Sequence, residues 1–446
     1  MKEFISPNDE KLFGANDSET IQNAIVAAEE DGCRKIVIPR YNARTGKNEW
    51  RIPVSIKVPS DFTIILDNCY MVQETGVYDN MFTSLYAWDL EKATKLENEQ
   101  KNIAIIGQGN VILDGGVHNH LLEKTTNRFR QPPLWRNNMF LWINVNGLRL
   151  ENVHIENQRW WAVCHVCCRN VTIKDIDFFA IPHVNNMDGI DLRIGCNNFD
   201  IQNITGRTGD DVIAMTALMG KGEVIRKVEG KDTDIHDIKI RNVKADPYYC
   251  MVVRILNHDG NNIYNVDIDT IMDVSDYTKK MATNACVGIG STTYTNIRYA
   301  KHGETRNITA KNITSRSNNT IHMSNTLSHS KFTNIKTYSD NRNIVGIDGR
   351  CTLEDVTFEH LWHGTTQKDI LIDRILRPEE YKGTIIRLTN IKGEVDFRDV
   401  NADLVRRCVV LSGDAKVTID GFKYNSAKTP IDVAPESMLI IDGEVQ

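Results

Sequence analysis

The sequence predicts an all-β chain wound as a parallel β-solenoid (a β-helix), with one short helix capping its N-terminal end. Three observations carry this. First, a nine-residue phrase recurs from Asn170 (NVTIKDIDF), Asn198 (NFDIQNITG), Asp237 (DIKIRNVKA), Asn265 (NVDIDTIMD), Asn307 (NITAKNITS) and Lys416 (KVTIDGFKY), with looser copies from Gly147, His329, Arg350 and Glu394. Each copy alternates apolar or β-branched residues with polar ones, the two-residue period of a strand. Second, successive starts are separated by 23, 28, 39, 28, 42, 22, 21, 44 and 22 residues. A period in the low twenties is that of strand coils stacked on one another, and the 44-residue gap reads as two coils with a degenerate copy near Asp369-Ile370-Leu371-Ile372. A leucine-rich repeat has a similar period, but its leucine framework and helical segments are missing. Third, a helical pattern stands at the start of the chain, before the repeats.

That helix spans Asp17 to Gly32. Asp17 or Ser18 is positioned to cap it, Ile21, Ala24, Ile25 and Ala28 form one apolar face, and Gly32 stops it. The strand Lys35-Ile36-Val37-Ile38-Pro39 follows. The sequence divides one β-helix domain, 1–446, into a cap region (1–60), decorated coils (147–330) and C-terminal coils (330–446). The intervals of 28, 39, 28 and 42 all fall between Asn170 and Asn307, and insertions in repeat proteins gather on the binding face. An earlier insertion, His118 to Asn138, holds Arg128-Phe129-Arg130-Gln131-Pro132-Pro133-Leu134-Trp135-Arg136. It reads equally as a groove wall touching sugar rings or as a solvated arm.

Composition narrows the partners. The formal charge of −6 argues against nucleic acid. No apolar run reaches the length of a membrane span, and the start lacks the apolar core of a signal peptide, so a cytoplasmic location is expected. Ten cysteines are too sparse for a disulfide scaffold. In Cys164-His165-Val166-Cys167-Cys168 the strand period sets Cys164 and Cys168 on one face and His165 and Cys167 on the other. With no second CxxC pair, buried inert thiols are expected and no metal. Nothing indicates an oligomeric state.

The chemistry concentrates in Asn185-Asn186-Met187-Asp188-Gly189-Ile190-Asp191-Leu192 and Thr208-Gly209-Asp210-Asp211-Val212-Ile213-Ala214-Met215. Asp188 and Asp210 lie 22 positions apart, one coil period. Counting back from phrase starts sets Trp160 beneath Asp188, with Ala162, Ile190 and Ile213 in one inward column and Cys164, Leu192 and Met215 in another. Asp188 and Asp211 then point outward, with Asp210 at the bend. Three neighbouring carboxylates repel one another, and at least one tends to keep a proton at neutral pH. One protonated acid beside ionised carboxylates is what glycosidic hydrolysis needs. Aspartates also end strands in Asx turns, which accounts for any one of them alone.

Asn186-Met187-Asp188-Gly189-Ile190-Asp191 followed by Gly209-Asp210-Asp211-Val212-Ile213-Ala214 resembles the Asn-Thr-Asp and Gly-Asp-Asp motifs of family 28 glycoside hydrolases, the polygalacturonase group. The similarity extends upstream through the run from Gly107 to Gly116, and through Trp161 to Asn170-Val171-Thr172-Ile173. It is specific over roughly residues 100 to 220 and architectural elsewhere. The resemblance implies a right-handed parallel β-helix that hydrolyses α-linkages in pectic or related plant carbohydrate, with inversion and without a cofactor or metal. It makes Asp210 the general acid, with Asp188 and Asp211 positioning and activating water. The family's Gly-His-Gly and Arg-Ile-Lys segments have no clear counterpart. Tyr249 falls where the histidine is expected, Gly288 and Gly290 fall where arginine and lysine are expected, and Arg254-Ile255-Leu256 sits one coil early. Candidate replacement contacts to substrate are Asn186, Trp160, His183, Tyr249, Arg254 and Arg207, with Arg193 and Arg159 further options.

Two other readings fit the same scaffold. One is a lyase or epimerase, which needs a base for a sugar C5 proton. The other is a non-catalytic carbohydrate-binding solenoid with idle aspartates.

Overall fold

The computed structural model describes residues 2–122, 133–181, 184–257, 260–275, 283–290, 300–337, 343–347, 351–364, 383–403, 405–425 and 429–446. They fall into two compact units, Met1–Asp210 with Met219–Asp234, and Asp211–Leu218 with Ile235–Gln446. No helix among the described residues is long and apolar enough to cross a membrane.

In the first unit the helix Asp17–Asp31 forms as the sequence predicts, with Ile21, Ala24, Ile25 and Ala28 fully buried. Its cap is Asn16, not Asp17 or Ser18: the Asn16 side chain accepts from the Glu19 N–H at 3.0 Å. The Asp17 carboxylate is taken instead by Arg44 and by the Arg51 backbone N–H at 2.7 Å. The helix packs on Lys35–Pro39, Trp50–Ile52 and Ile56–Val58, the first strands of the unit. It thus covers the apolar end of the first coil, while Ile5 pairs with the edge of Lys35–Pro39 through bonds of 3.0 Å to Lys35 and Val37.

Every described phrase forms a long strand, and all pair in parallel. In the first unit Gln100–Gln108, Val145–Glu156, Arg169–Phe179 and Asn197–Arg207 stack in order. A second parallel sheet runs through Phe82–Ser84, Phe140–Ile143, Val163–Val166 and Ile190–Leu192. In the second unit one sheet runs from Ile235–Ala245 to Met438–Ile441 and the other from Ile213–Thr216 to Thr429–Val433. Two sheets joined coil after coil make a parallel β-helix.

The phrases are not straight strands. In Arg169–Phe179 the buried residues are Val171 and Ile173, then Ile176 and Phe178, so the alternation changes phase at Asp175. Asp175 has φ 57°, and the equivalent Asn152, Asn203, Asn242, Thr270, Asn312, Asn334, His360 and Asp399 are left-handed too. Asn and Asp tolerate this conformation because their short side chains hydrogen-bond locally. Each phrase is therefore two short strands hinged at its sixth residue. The corner amides form ladders, as where Asn312 donates to Asp269 and Asn334 donates to Asn312.

Two spacings need correction. His329 belongs with Asp355, since Ser330 pairs with Val356, a step of 26 residues; Arg350 lies outside the described residues. The 44-residue gap is one coil. Thr352–His363 pairs directly with Lys392–Asp403, and Asn343–Ile347 directly with Thr384–Leu388. Asp369 to Ile372 lie outside the described residues. Phe332, Phe358 and Phe397 stack at 4.8 and 5.0 Å in the core of these coils, each worth about 1.5–3 kcal/mol of burial.

Candidate functional site

The two motif stretches of the first unit are tied to each other by backbone. The Asn186 N–H donates to Asp210 Oδ2 at 2.8 Å, and the Gly209 N–H donates to the Met187 carbonyl at 2.9 Å. Asn186 is left-handed, φ 65°, which aims its N–H at the carboxylate. Gly209 is required by contact: a Cβ there would lie 2.7 Å from Met187 Cβ. Thr208 Oγ1 closes the turn on the Asp210 carbonyl at 2.6 Å. Asp210 is half-buried and Asp188 is buried.

Asp188 is held from the coil beneath. Val163 pairs with Ile190 and Cys164 with Asp191, so the inward column contains Val163 rather than Ala162. Carried back two residues, this register places Trp161, not Trp160, beneath Asp188. The Ala162 N–H donates to the Asp188 carbonyl at 3.0 Å. Gln158, fully buried, gives its side-chain N–H to the carbonyls of Met187 and Asp188 at 3.2 and 3.3 Å. Sequence inspection missed Gln158, because a buried glutamine carries no signal in a strand pattern.

The substrate-contact candidates of this unit separate by burial. Trp160 is 3% exposed and presents no ring to a ligand. Arg159 is fully buried and donates to the carbonyls of Gly115, Val77, Gln73 and Glu74. Burial lowers its pKa to about 10. It is a structural cation, not a substrate contact. Arg193 is buried against Glu223, with Nε 3.0 Å from the carboxylate, and lies 4.3 Å over the Trp161 ring. Burial opposes its charge, but Glu223 and Asp191 outweigh that and leave its pKa raised. Arg207 ends its strand half-buried, in register with Phe179. His183 lies outside the described residues.

An arginine and tryptophan cluster surrounds Trp161. Trp135 meets it edge-on at 5.4 Å, and Arg226 stacks on Trp135 at 4.2 Å and on Trp88 at 5.4 Å. Burial brings Arg226 to about 10. Arg136 adds a contact to Trp88 at 4.1 Å and an ion pair to Asp79 at 2.7 Å. Of the early insertion, Arg128, Phe129 and Arg130 lie outside the described residues, whereas Trp135 and Arg136 anchor its described end inside the first unit.

The cysteine cluster is buried, as expected, but not in the predicted two faces. Cys164 and Cys167 share one apolar cluster, because Cys167 is left-handed, φ 51°, and resets the alternation. Burial raises the thiols of Cys164, Cys167, Cys168 and Cys196. His165 is buried edge-on to Phe199 at 5.2 Å, its Nδ1 3.1 Å from the Asp191 carbonyl. Burial pushes its pKa down to about 4.

In the second unit Asp211 is buried and accepts the Met251 N–H at 2.9 Å and the Arg254 Nε–H. Arg254 Nη2 reaches Cys250 Sγ at 3.2 Å. Ile213 pairs with Val253, so Met251 stands over Asp211 and Tyr249 lies two residues early. Tyr249 is 55% exposed and left-handed, φ 56°. Arg254 pairs with Gly288 on the next coil, so a glycine follows it, as the sequence suggested.

This fold defines the class: a right-handed parallel β-helix with an N-terminal helical cap. No family model matches the chain, and no curated protein matches it in sequence. Solved structures do resemble it. A family 28 exopolygalacturonase of Yersinia enterocolitica matches at TM-score 0.52 and 14% identity, over 100% of this chain and 80% of that one. The tailspike of E. coli bacteriophage HK620, solved with a pentasaccharide, matches at 0.51 and 10% identity, over 98% and 80%. PfbA, a surface adhesin of Streptococcus pneumoniae, matches at 0.50 and 12% identity, over 98% and 94%. At such identities the likeness is one of fold.

Proposed function

We propose that the chain is a glycoside hydrolase of plant oligo- or polysaccharide, pectic or related, cleaving an α-linkage with inversion. One observation carries the reading. The Asn186 N–H to Asp210 bond and the Gly209 N–H to Met187 bond lock the Asp188 turn to the Asp210 turn. Two acidic motifs fixed on each other by backbone donors are what a positioned acid and base require. In this reading Asp210 protonates the leaving oxygen, and Asp188 and Asp211 position and activate water. The grip of Arg254 and the Met251 N–H on Asp211 suits a carboxylate that must stay oriented. The Yersinia protein is an exopolygalacturonase and the phage tailspike was solved with a pentasaccharide, which supports a sugar ligand on this fold.

The test is reducing-sugar release from a panel of pectic and other plant oligosaccharides, with Asp210→Asn beside the wild type. Loss of a general acid lowers the rate by about 10²–10⁴-fold, and product anomers read by NMR check inversion. Ultraviolet-absorbing unsaturated product would transfer the assignment to a lyase. Absence of any product across the panel would transfer it to a binding solenoid.

A further inference from the structure

The strands of the first unit's first sheet end in an outward column that runs into the acidic turns. Register pairs place Asp114, Glu156, Phe179 and Arg207 in line, with about 4.8 Å from strand to strand. The change of phase at Asp175 sends Ile176 and Phe178 into the core, so Asp177 and Phe179 face outward. Phe178 is fully buried, whereas Phe179 is 51% exposed. Ala180 is fully buried and gives its N–H to the Arg207 carbonyl at 2.9 Å, which carries the alternation one step past the strand. Ile181 is accordingly 52% exposed. Two of these strand ends lead directly to residues of the candidate site. Gln158, which holds the Asp188 carbonyl, stands two residues after Glu156, and Asp210 stands three after Arg207. At no more than about 3.6 Å per residue, the backbones of Arg207 and Asp210 lie within about 11 Å of each other.

Oriented acceptors frame this apolar pair. Asp114 accepts from Tyr70 Oη at 2.8 Å, from the Gly116 N–H at 2.7 Å and from the Asn157 amide at 3.0 Å. In the neighbouring outward column His154, Asp177 and Thr205 stand in register. Asp177 accepts from Thr205 Oγ1 and lies 2.7 Å from His154 Nδ1, while His154 Nε2 lies 3.3 Å from Glu156. Three carboxylates thus stand beneath and beside Phe179, with Arg207 next above it. One exposed apolar side chain is ordinary on a protein surface. Two in succession, framed by carboxylates at the mouth of the candidate site, combine two kinds of contact. An apolar pair accepts the C–H face of a pyranose, and carboxylate oxygens accept from its hydroxyls. A chain with a free carboxylate on each sugar would instead meet like charge at Glu156 and Asp177.

We propose that Phe179 is the stacking platform of a sugar subsite beside Asp188 and Asp210, and that this subsite takes an uncharged pyranose rather than a free uronate. The proposal rests on the hydrolase reading, because it names the substrate class of that same site. Ile181 extends the apolar surface, and Glu156 and Asp177 receive hydroxyl hydrogen bonds. An uncharged pyranose is found both in neutral chains and in uronate chains whose carboxyls are esterified. Phe179 meets the sugar through its ring and touches no reacting atom. Loss of the ring therefore weakens ground state and transition state alike, which raises KM more than it lowers kcat.

Calorimetric titration and initial rates test it on three chains of equal length: a homogalacturonan octasaccharide, its fully methyl-esterified form, and a neutral α-linked galactose oligosaccharide. Affinities are measured on the Asp210→Asn protein to prevent turnover, then on that protein also carrying Phe179→Ala or Phe179→Trp. At least one uncharged chain should bind about 10-fold tighter than the free acid. Phe179→Ala should weaken that chain about 10-fold, the scale of one aromatic contact, without moving the melting temperature, and Phe179→Trp should keep the affinity. In the otherwise wild-type enzyme Phe179→Ala should raise KM with a smaller change in kcat. Tighter binding of the ester would assign the subsite to esterified uronate, and tighter binding of the galactose chain to a neutral polymer. Free acid bound as tightly as both uncharged chains, or an unaffected Phe179→Ala protein, overturns the platform. Binding that depends on Phe179 without wild-type cleavage would sink the hydrolase reading for that chain and leave the platform standing. Cleavage that ignores Phe179→Ala would do the reverse, and no binding of any of the three chains would sink both.

Discussion

His165 and Arg159 show how burial changes what a polar residue is for. In the sequence His165 sits among cysteines and invites a ligand role. In the fold it is a neutral ring in the core, with its pKa lowered to about 4 by burial. An unfolded histidine titrates near 6.5. Between those values the unfolded chain holds a proton the folded chain does not, so stability present near pH 7 falls as the pH drops through 6.5 toward 4. The linkage amounts to about 3 kcal/mol at most. Melting temperatures at pH 7 and 4.5 should show a smaller acid loss for His165→Leu than for wild type; an equal loss would mean that this ring does not drive it. Arg159 was a plausible surface contact by chain position alone. Its guanidinium instead serves four carbonyls whose strands and turns lie far off in sequence. No local pattern encodes that convergence.

At the scale of elements, the strands were legible because alternation is a local property. All six close copies of the phrase became strands at the predicted positions. In four of the six close copies the hinge was visible as a second Asn or Asp five residues after the first, yet it reads equally as a polar outward position. Its left-handed backbone appears only in the fold. Asn312 gives a direct check, since its φ is 58° and its side chain bonds Asp269 at 2.8 Å. Asn312→Val should cost about 1–2 kcal/mol, because Cβ branching is strained in the left-handed region, and Asn312→Gly should cost less. Urea midpoints that rank the two the other way would contradict the corner. The one-residue error beneath Asp188 and the two-residue error over Asp211 share a cause. Counting from phrase starts assumes loops of equal length, whereas hydrogen bonds fix the register.

For the whole molecule, the N-terminal helix is the clearest case of a part that serves the architecture. Its apolar face is fully buried on the first strands. A chain beginning at Lys35 would bare that apolar surface and a strand edge, and light scattering should show association beyond that of the full chain. Unchanged mass would mean the helix is not a needed cap. The sequence by itself determined the β-helix class, the helix and its apolar face, the acidic motifs and the burial of the Cys164–Cys196 thiols, because each rests on residues near one another in the chain or on a repeat period. Only the tertiary structure decided that Trp161 rather than Trp160 underlies Asp188, that Arg254 is committed to Asp211, and that Glu156, Phe179 and Arg207 share one column. Those neighbours are set by the register between coils separated by loops of unequal length, and hydrogen bonding across the sheet, not distance along the chain, fixes that register.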